Sequence, residues 1–85
     1  MNEVIERALN AFSGPANKDS ACTHPDDFDR WCTFLFECVD NGANLDPQDL
    51  RQWLSEHGWN NEEVLDTLVL KYEYGMDLLN KYSRR

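Results

Sequence analysis

The chain has 85 residues, a net charge of −8 at pH 7 and 41% hydrophobic residues. Domains cluster near about 100–150 residues, so this length predicts a single domain over residues 1–85. An excess of negative charge repels the phosphates of nucleic acids and attracts basic surfaces. No apolar run approaches the roughly 18 residues that a membrane-spanning helix needs. We therefore expect neither direct nucleic-acid binding nor membrane insertion.

The cysteines indicate a reducing compartment. Cys22, Cys32 and Cys38 are odd in number, so they define no disulfide framework. The first residues also show no apolar run of signal-peptide length. On one helix, Cys32 and Cys38 would point about 120° apart and lie about 9 Å apart along the axis, so they cannot chelate one metal ion. We expect a cytoplasmic protein with no metal and no other cofactor.

The first helix is predicted over residues 2–12 by apolar residues at helical spacing. These residues are Val4, Ile5, Ala8, Leu9 and Phe12. Gly14 and Pro15 then stop the helix. The stretch 13–22 has no apolar period and therefore predicts a flexible loop.

The second helix is predicted over residues 24–40. Thr23 is placed to cap it, Pro25 fits its first turn, and Asp26 can bond back to the cap. Its apolar residues occupy an unusually wide arc of about 200°. They are Phe28, Trp31, Cys32, Phe34, Leu35, Phe36, Cys38 and Val39. An arc this wide predicts the central helix of the bundle.

The third helix is predicted over residues 47–57, with Asp46 as its N-terminal cap. Gly58 is placed to adopt the left-handed conformation that ends a helix. In that motif the following residue, Trp59, packs against Leu54. This turn therefore predicts a defined corner rather than an open loop.

The fourth helix is predicted over residues 61–82 and continues through Gly75. Its main apolar arc comprises Val64, Leu65, Leu68, Val69, Tyr72, Met76, Leu79 and Tyr82. No segment alternates apolar and polar residues as a strand would. The sequence therefore predicts an all-α protein, a compact orthogonal bundle of four helices.

A second apolar stripe lies on the fourth helix outside its main arc. Leu70, Tyr74 and Leu78 follow one another at intervals of four residues. We expect the first helix to cover this stripe. If it is left open, it is a contact surface for a partner or for a second copy in a homodimer.

Negative charge is concentrated in the middle of the chain. Residues 19–66 hold twelve acids against Arg30 and Arg51, which sums to −10. The acids interpreted as a solvated, partner-binding face are Asp26, Asp27, Asp29, Glu37, Asp40, Glu62, Glu63 and Asp66. Such a face favours a partner with a basic surface.

The sequence offers no constellation for catalysis. His24 and His57 are each explained by a position at a helix end, and no nucleophile has an orienting partner. We therefore expect no catalytic residues and no enzyme. The favoured interpretation is a small acidic regulator or adaptor that binds another protein. The alternative is an acidic inhibitor of the anti-defence or immunity type, which mimics nucleic acid and blocks the basic groove of a nucleic-acid-binding protein.

Overall fold

The computed structural model describes residues 2–83, which form four helices and no strand. These are α1 (Glu3–Ser13), α2 (Pro25–Asp40), α3 (Pro47–Glu56) and α4 (Glu62–Ser83). The all-α four-helix fold is confirmed, and every helix end lies within one residue of its predicted position. Helix α4 also runs without interruption through position 75. No helix in the described part of the chain combines the length and apolarity of a membrane span.

Short polar side chains begin the helices, as the sequence indicates. Asp46 Oδ1 accepts a hydrogen bond from the Gln48 amide at 2.8 Å. At the start of α2, however, the cap is His24 and the prediction of Thr23 is wrong. Pro25 is the first helical residue, so the residue immediately before it must be the cap.

Glycines in the left-handed region end α2 and α3. Gly58 has φ of +97°, and the Trp59 amide donates to the Leu54 carbonyl at 3.1 Å. This hydrogen bond, between residues five positions apart, defines the predicted motif that ends the helix. Leu54 and Trp59 are both fully buried, which confirms the predicted corner. Gly42, with φ of +62°, ends α2 in the same way.

Aromatic rings pack together where the end of α1 meets α2 and the α3–α4 corner. The Phe12 ring packs edge-on against Trp31 at 5.0 Å and stacks on Trp59 at 5.5 Å, measured between ring centroids. The buried Trp59 indole N–H donates to the Ser13 hydroxyl at 2.8 Å. This bond satisfies the one polar group of the indole, so the ring is buried without an unpaired donor.

The segment 14–24 between α1 and α2 is anchored by contacts that the sequence analysis did not predict. The Asp27 carboxylate is buried and accepts a hydrogen bond from the Asn17 amide at 3.1 Å. The same carboxylate pairs with the Arg30 guanidinium. Within the segment, Cys22 is buried in the core. These contacts hold the segment against the start of α2.

Candidate functional site

The stripe on α4 is open to solvent. Leu70 and Tyr74 are 66% and 69% exposed, and Leu78 is half-buried. The expectation that α1 covers this stripe is therefore wrong. Helix α1 packs chiefly on α2 instead, and its residue Phe12 is fully buried in the core.

Two aromatic residues of α2 also lie at the surface. Phe28 is 49% exposed and Phe36 is 54% exposed, whereas Phe34 is fully buried. The wide apolar arc predicts a central helix, but the structure leaves Phe28 and Phe36 of that arc at the surface. At about 100° per residue, Phe34 and Phe36 point about 160° apart on the helix, so one partner element cannot cover both.

The exposed faces of α2 and α4 border one apolar groove of about 320 Å³. Its walls include Phe28, Cys32, Phe36, Lys71, Tyr74 and Leu78. Thus Tyr74 and Leu78 of the predicted stripe line the groove, whereas Leu70 does not. Among the lining residues of the described chain, Lys71 is the one with a charged side chain.

Gly75 sets the close approach of α2 and α4 at the base of the groove. A Cβ atom at this position would lie 2.6 Å from Leu35 Cδ1, closer than packed carbon atoms approach each other. The missing side chain therefore lets Leu35 pack onto the backbone of α4. In the sequence this glycine showed only its cost to helix propensity.

Charges near the groove act on the thiol of Cys32. Burial raises the pKa of Cys32, the Asp29 carboxylate raises it further, and the Lys71 ammonium opposes them. The group is therefore a neutral thiol near pH 7, which is the weakly nucleophilic form. The Lys71 Nζ also lies 6.0 Å from the centroid of the Phe28 ring, within range of a cation–π contact.

Asp27 does not belong to a solvated acidic face, and its prediction as a surface residue is wrong. Only 4% of it is exposed. Burial by itself would raise the pKa of Asp27, but the Asn17 amide bond and the Arg30 guanidinium outweigh burial and lower it below 3.8. From the first turn of α2 this carboxylate faces segment 14–24 rather than solvent.

Two more of the predicted acids interact within the domain. Glu37 is half-buried, and its carboxylate accepts a bond from the Asn41 side chain at 3.3 Å. Asp66 is exposed but pairs with Arg51, which joins α4 to α3. The Arg51 pair compensates the charge of Asp66, whereas the neutral Asn41 amide leaves the charge of Glu37 unchanged.

The other five predicted acids are exposed. Asp26 lies 3.9 Å from the His24 ring nitrogen. Asp29, Asp40, Glu62 and Glu63 form no salt bridge with any residue between 2 and 83. The first two lie on α2 and the last two in the first turn of α4.

The histidines and buried thiols have structural surroundings. The His57 ring stacks on Trp53 with centroids 3.6 Å apart, and its Nδ1 contacts the Trp53 carbonyl at 2.7 Å. Burial raises the pKa of Cys22 to about 12 and that of Cys38 to about 11. In residues 2–83, no group of three His, Cys, Asp or Glu side chains is placed to hold a metal ion. Neither histidine lines the groove.

Sequence reasoning missed the α2 wall of the groove. Phe28 and Phe36 were counted in the apolar arc of α2 but not recognised as a separate surface, and Lys71 was not singled out. The available signal was the width of the α2 arc, because about 200° of apolar surface exceeds the stripe of roughly 100° that one core-facing helix needs. The excess predicts a second contact surface on the same helix.

The chain is similar to part of a longer enzyme. It is 32% identical over 65 residues to the phosphoribosylaminoimidazole-succinocarboxamide synthase of Actinobacillus succinogenes, covering 67% of this chain and 23% of the synthase. It is 31% identical over 65 residues to the synthase of Haemophilus influenzae, covering 67% of this chain and 22% of that protein. The chain thus matches less than a quarter of the length of these relatives. No solved structure shows a significant match.

A family model covers most of the domain, from the start of α1 to the base of the groove at Gly75. It is described as a domain of unknown function, DUF1889, and matches residues 1–75. The matched region includes α1, α2, α3 and the first fourteen residues of α4, counted from Glu62 to Gly75. The chain belongs to the DUF1889 family.

Proposed function

We propose that this domain is a small, non-enzymatic regulator or adaptor that binds another protein through the α2–α4 groove. The observation that supports this proposal is the exposure of large apolar side chains on both walls. Phe36 and Tyr74 are each more than half exposed. Contiguous apolar surface on a small domain is characteristic of an interaction site.

The lining of the groove favours binding over catalysis. Its one thiol, that of Cys32, is neutral near pH 7 because burial raises its pKa. His24 caps α2, His57 stacks on Trp53, and neither lines the groove in which this thiol lies. The synthase reaction is not assigned to this chain, because the aligned segment spans only 23% of that enzyme.

Charge favours a different protein over a second copy as the occupant. Each copy carries a net charge of −8, so two copies repel each other as they approach. The same negative charge attracts a partner with a basic surface. All three cysteines are free, which fits the proposed cytoplasmic location.

Capture of partners from native lysate tests the groove. Tagged wild type, Tyr74→Ala and Tyr82→Ala are compared by quantitative mass spectrometry, and captured proteins are purified for direct binding. Tyr82 is a matched control, because it is a 79% exposed tyrosine of α4 that does not line the groove. We expect Tyr74→Ala to weaken binding by about 2 kcal/mol, as the loss of an aromatic anchor does.

Equal capture by wild type and Tyr74→Ala would contradict this proposal. A dimer of the purified protein that depends on Tyr74 would also contradict it, because a second copy would then fill the groove. Sedimentation velocity over a range of concentrations detects that dimer.

An acidic inhibitor of a nucleic-acid-binding protein is the second candidate. It is supported by the exposed carboxylates Asp29, Asp40, Glu62 and Glu63, which have no salt bridge within residues 2–83. In this case the association rate should fall steeply between about 50 and 300 mM salt, because exposed charges are screened in that range. Tyr74→Ala should then have little effect. A rate that does not respond to salt would exclude this candidate.

A further inference from the structure

We infer that the segment bound in the α2–α4 groove is a basic amphipathic helix of another protein. This inference rests on the proposed function and names the partner's chemistry. Both walls of the groove are helices, α2 and α4, whose backbone groups are bonded within each helix. An extended peptide would find no strand edge to pair with, so its own amide groups would stay unpaired. A helix satisfies these groups internally.

The length of the groove fits a short helix. Phe28 and Phe36 on α2 are eight residues apart, as are Lys71 and Leu79 on α4, so each wall is about 12 Å long. Apolar anchors at positions i, i+4 and i+7 of a bound helix span about 10 Å. Three anchors therefore match the groove from end to end.

A small apolar ligand fits less well. Pockets for such ligands hold several polar groups that converge on the ligand and fix its orientation. In this groove Lys71 supplies the only charged group among the lining residues of the described chain, and its Nζ is positioned near the Phe28 ring. A ridge of apolar side chains on a helix needs no such groups.

The wall formed by α2 is flanked by acids. On α2, intervals of seven and four residues separate Asp29, Phe36 and Asp40. These three residues therefore lie on one stripe of the helix. Both carboxylates are exposed and form no salt bridge within residues 2–83. Asp29 is also close enough to the groove for its charge to raise the pKa of Cys32.

The wall formed by α4 carries mixed charge. Glu73 and Asp77 lie beside the exposed stripe of Tyr74, whereas Lys71 and Lys81 add positive charge on the same helix. On α4 these two acids are matched by the two lysines, so the excess of negative charge beside the groove lies along α2. This asymmetry predicts that Lys or Arg residues of the bound helix follow the edge that faces α2.

A displayed peptide library tests the inference with the intact chain. Peptides of about 16 residues carry leucine at positions i, i+4 and i+7, while their other positions vary among Lys, Glu and Gln. Sorting against wild type, Tyr74→Ala and Tyr82→Ala isolates binders that depend on the groove. A second library with the same composition but two central prolines cannot form the helix.

We expect binders rich in lysine from the helical library and none from the proline library. Tyr74→Ala should lower the affinity for a selected peptide by about tenfold to thirtyfold, whereas Tyr82→Ala should leave that affinity unchanged. Asp29→Asn with Asp40→Asn should weaken it by about fivefold. The matched control, Glu62→Gln with Glu63→Gln, removes the same charge away from the groove and should have a smaller effect.

Three results would overturn the inference. If binders that depend on the groove carry no excess of lysine, the bound segment need not be basic. If binders come from the proline library, the bound segment need not be a helix. Equal weakening by the two double variants would show that net charge acts rather than the α2 rim. In each case, lysate capture that still depends on Tyr74 would leave the protein-binding function intact, so failure of the inference is distinct from failure of the proposed function.

Discussion

Helix α2 has one apolar face that is covered and another that borders the open groove. On the covered face, Trp31 and Phe34 are at most 2% exposed, whereas Phe28 and Phe36 on the groove face are about half exposed. All four are aromatic, so residue type does not separate the two faces. What separates them is the presence of a packing element. The covered face stabilises the domain, and the groove face is available for a ligand.

The largest expected difference between the two faces is in stability. Phe12→Ala removes a fully buried ring that packs on both Trp31 and Trp59. It should lower the free energy of unfolding by about 3–5 kcal/mol. Phe36→Ala should lower it by less than about 1 kcal/mol, because that ring is half exposed. Urea unfolding measures both changes, and a Phe36→Ala loss as large as that of Phe12→Ala would show that the groove is part of the core.

The next effect concerns the anchored segment beside the covered face. The folded-state pKa of Asp27 lies below 3.8, so its carboxylate stabilises the fold above about pH 4 and this contribution is lost as pH falls through the lower folded-state value. Asp27→Asn should cost about 1–3 kcal/mol at pH 7. The difference in unfolding free energy between wild type and Asp27→Asn should become smaller toward pH 2. The exposed Asp19→Asn is the control, and a gap independent of pH would contradict this role of the carboxylate.

A smaller effect tests the base of the groove. Gly75→Ala gains up to about 1 kcal/mol of helix propensity but forces its new methyl group against Leu35. Overpacking costs about 1–3 kcal/mol, so a net loss is expected in wild type. In a Leu35→Ala background the same change should become neutral or stabilising. A double-mutant cycle with no coupling between the two positions would show that Gly75 does not set the helix approach.

The smallest effect tests the α3–α4 corner. Gly58→Ala should lower the free energy of unfolding by about 1 kcal/mol, because alanine disfavours the positive φ of this position. Gly58→Asn should cost less, because asparagine tolerates the left-handed region better. Thermal unfolding of the two variants measures which of them is less stable. Equal stability of wild type and Gly58→Ala would contradict the argument.

Local signals made the helices predictable. Proline at a first helical position, glycine after a last turn and apolar periodicity are each read within a few residues, so they do not depend on the rest of the fold. Gly58 and the continuity of α4 through Gly75 are examples. The α2 cap was missed because Thr23 and His24 both offer a side-chain acceptor, and only the position of Pro25 decides between them.

The groove was only partly predictable, because it depends on where helices pack. Tyr74 and Leu78 were recognised as lying outside the main apolar arc of α4, but the pattern does not show which helix covers them. The sequence also does not distinguish Phe34, which is buried, from Phe36, which is not. Asp27 was assigned to the surface because its partner Asn17 lies in a segment with no periodic pattern. These errors concern contacts between elements, whereas the α2 cap was an error at the end of one element.

The hydrogen bond between Ser13 and Trp59 joins residues that are 46 positions apart. Closing a loop of that length costs about 3 kcal/mol of chain entropy before any constant contribution. One hydrogen bond returns only about 1 kcal/mol, so it cannot hold the two ends together by itself. The Phe12 ring, which stacks on Trp59, adds buried contact between the same two parts of the chain. We therefore expect the two halves of the chain to fold as one cooperative unit.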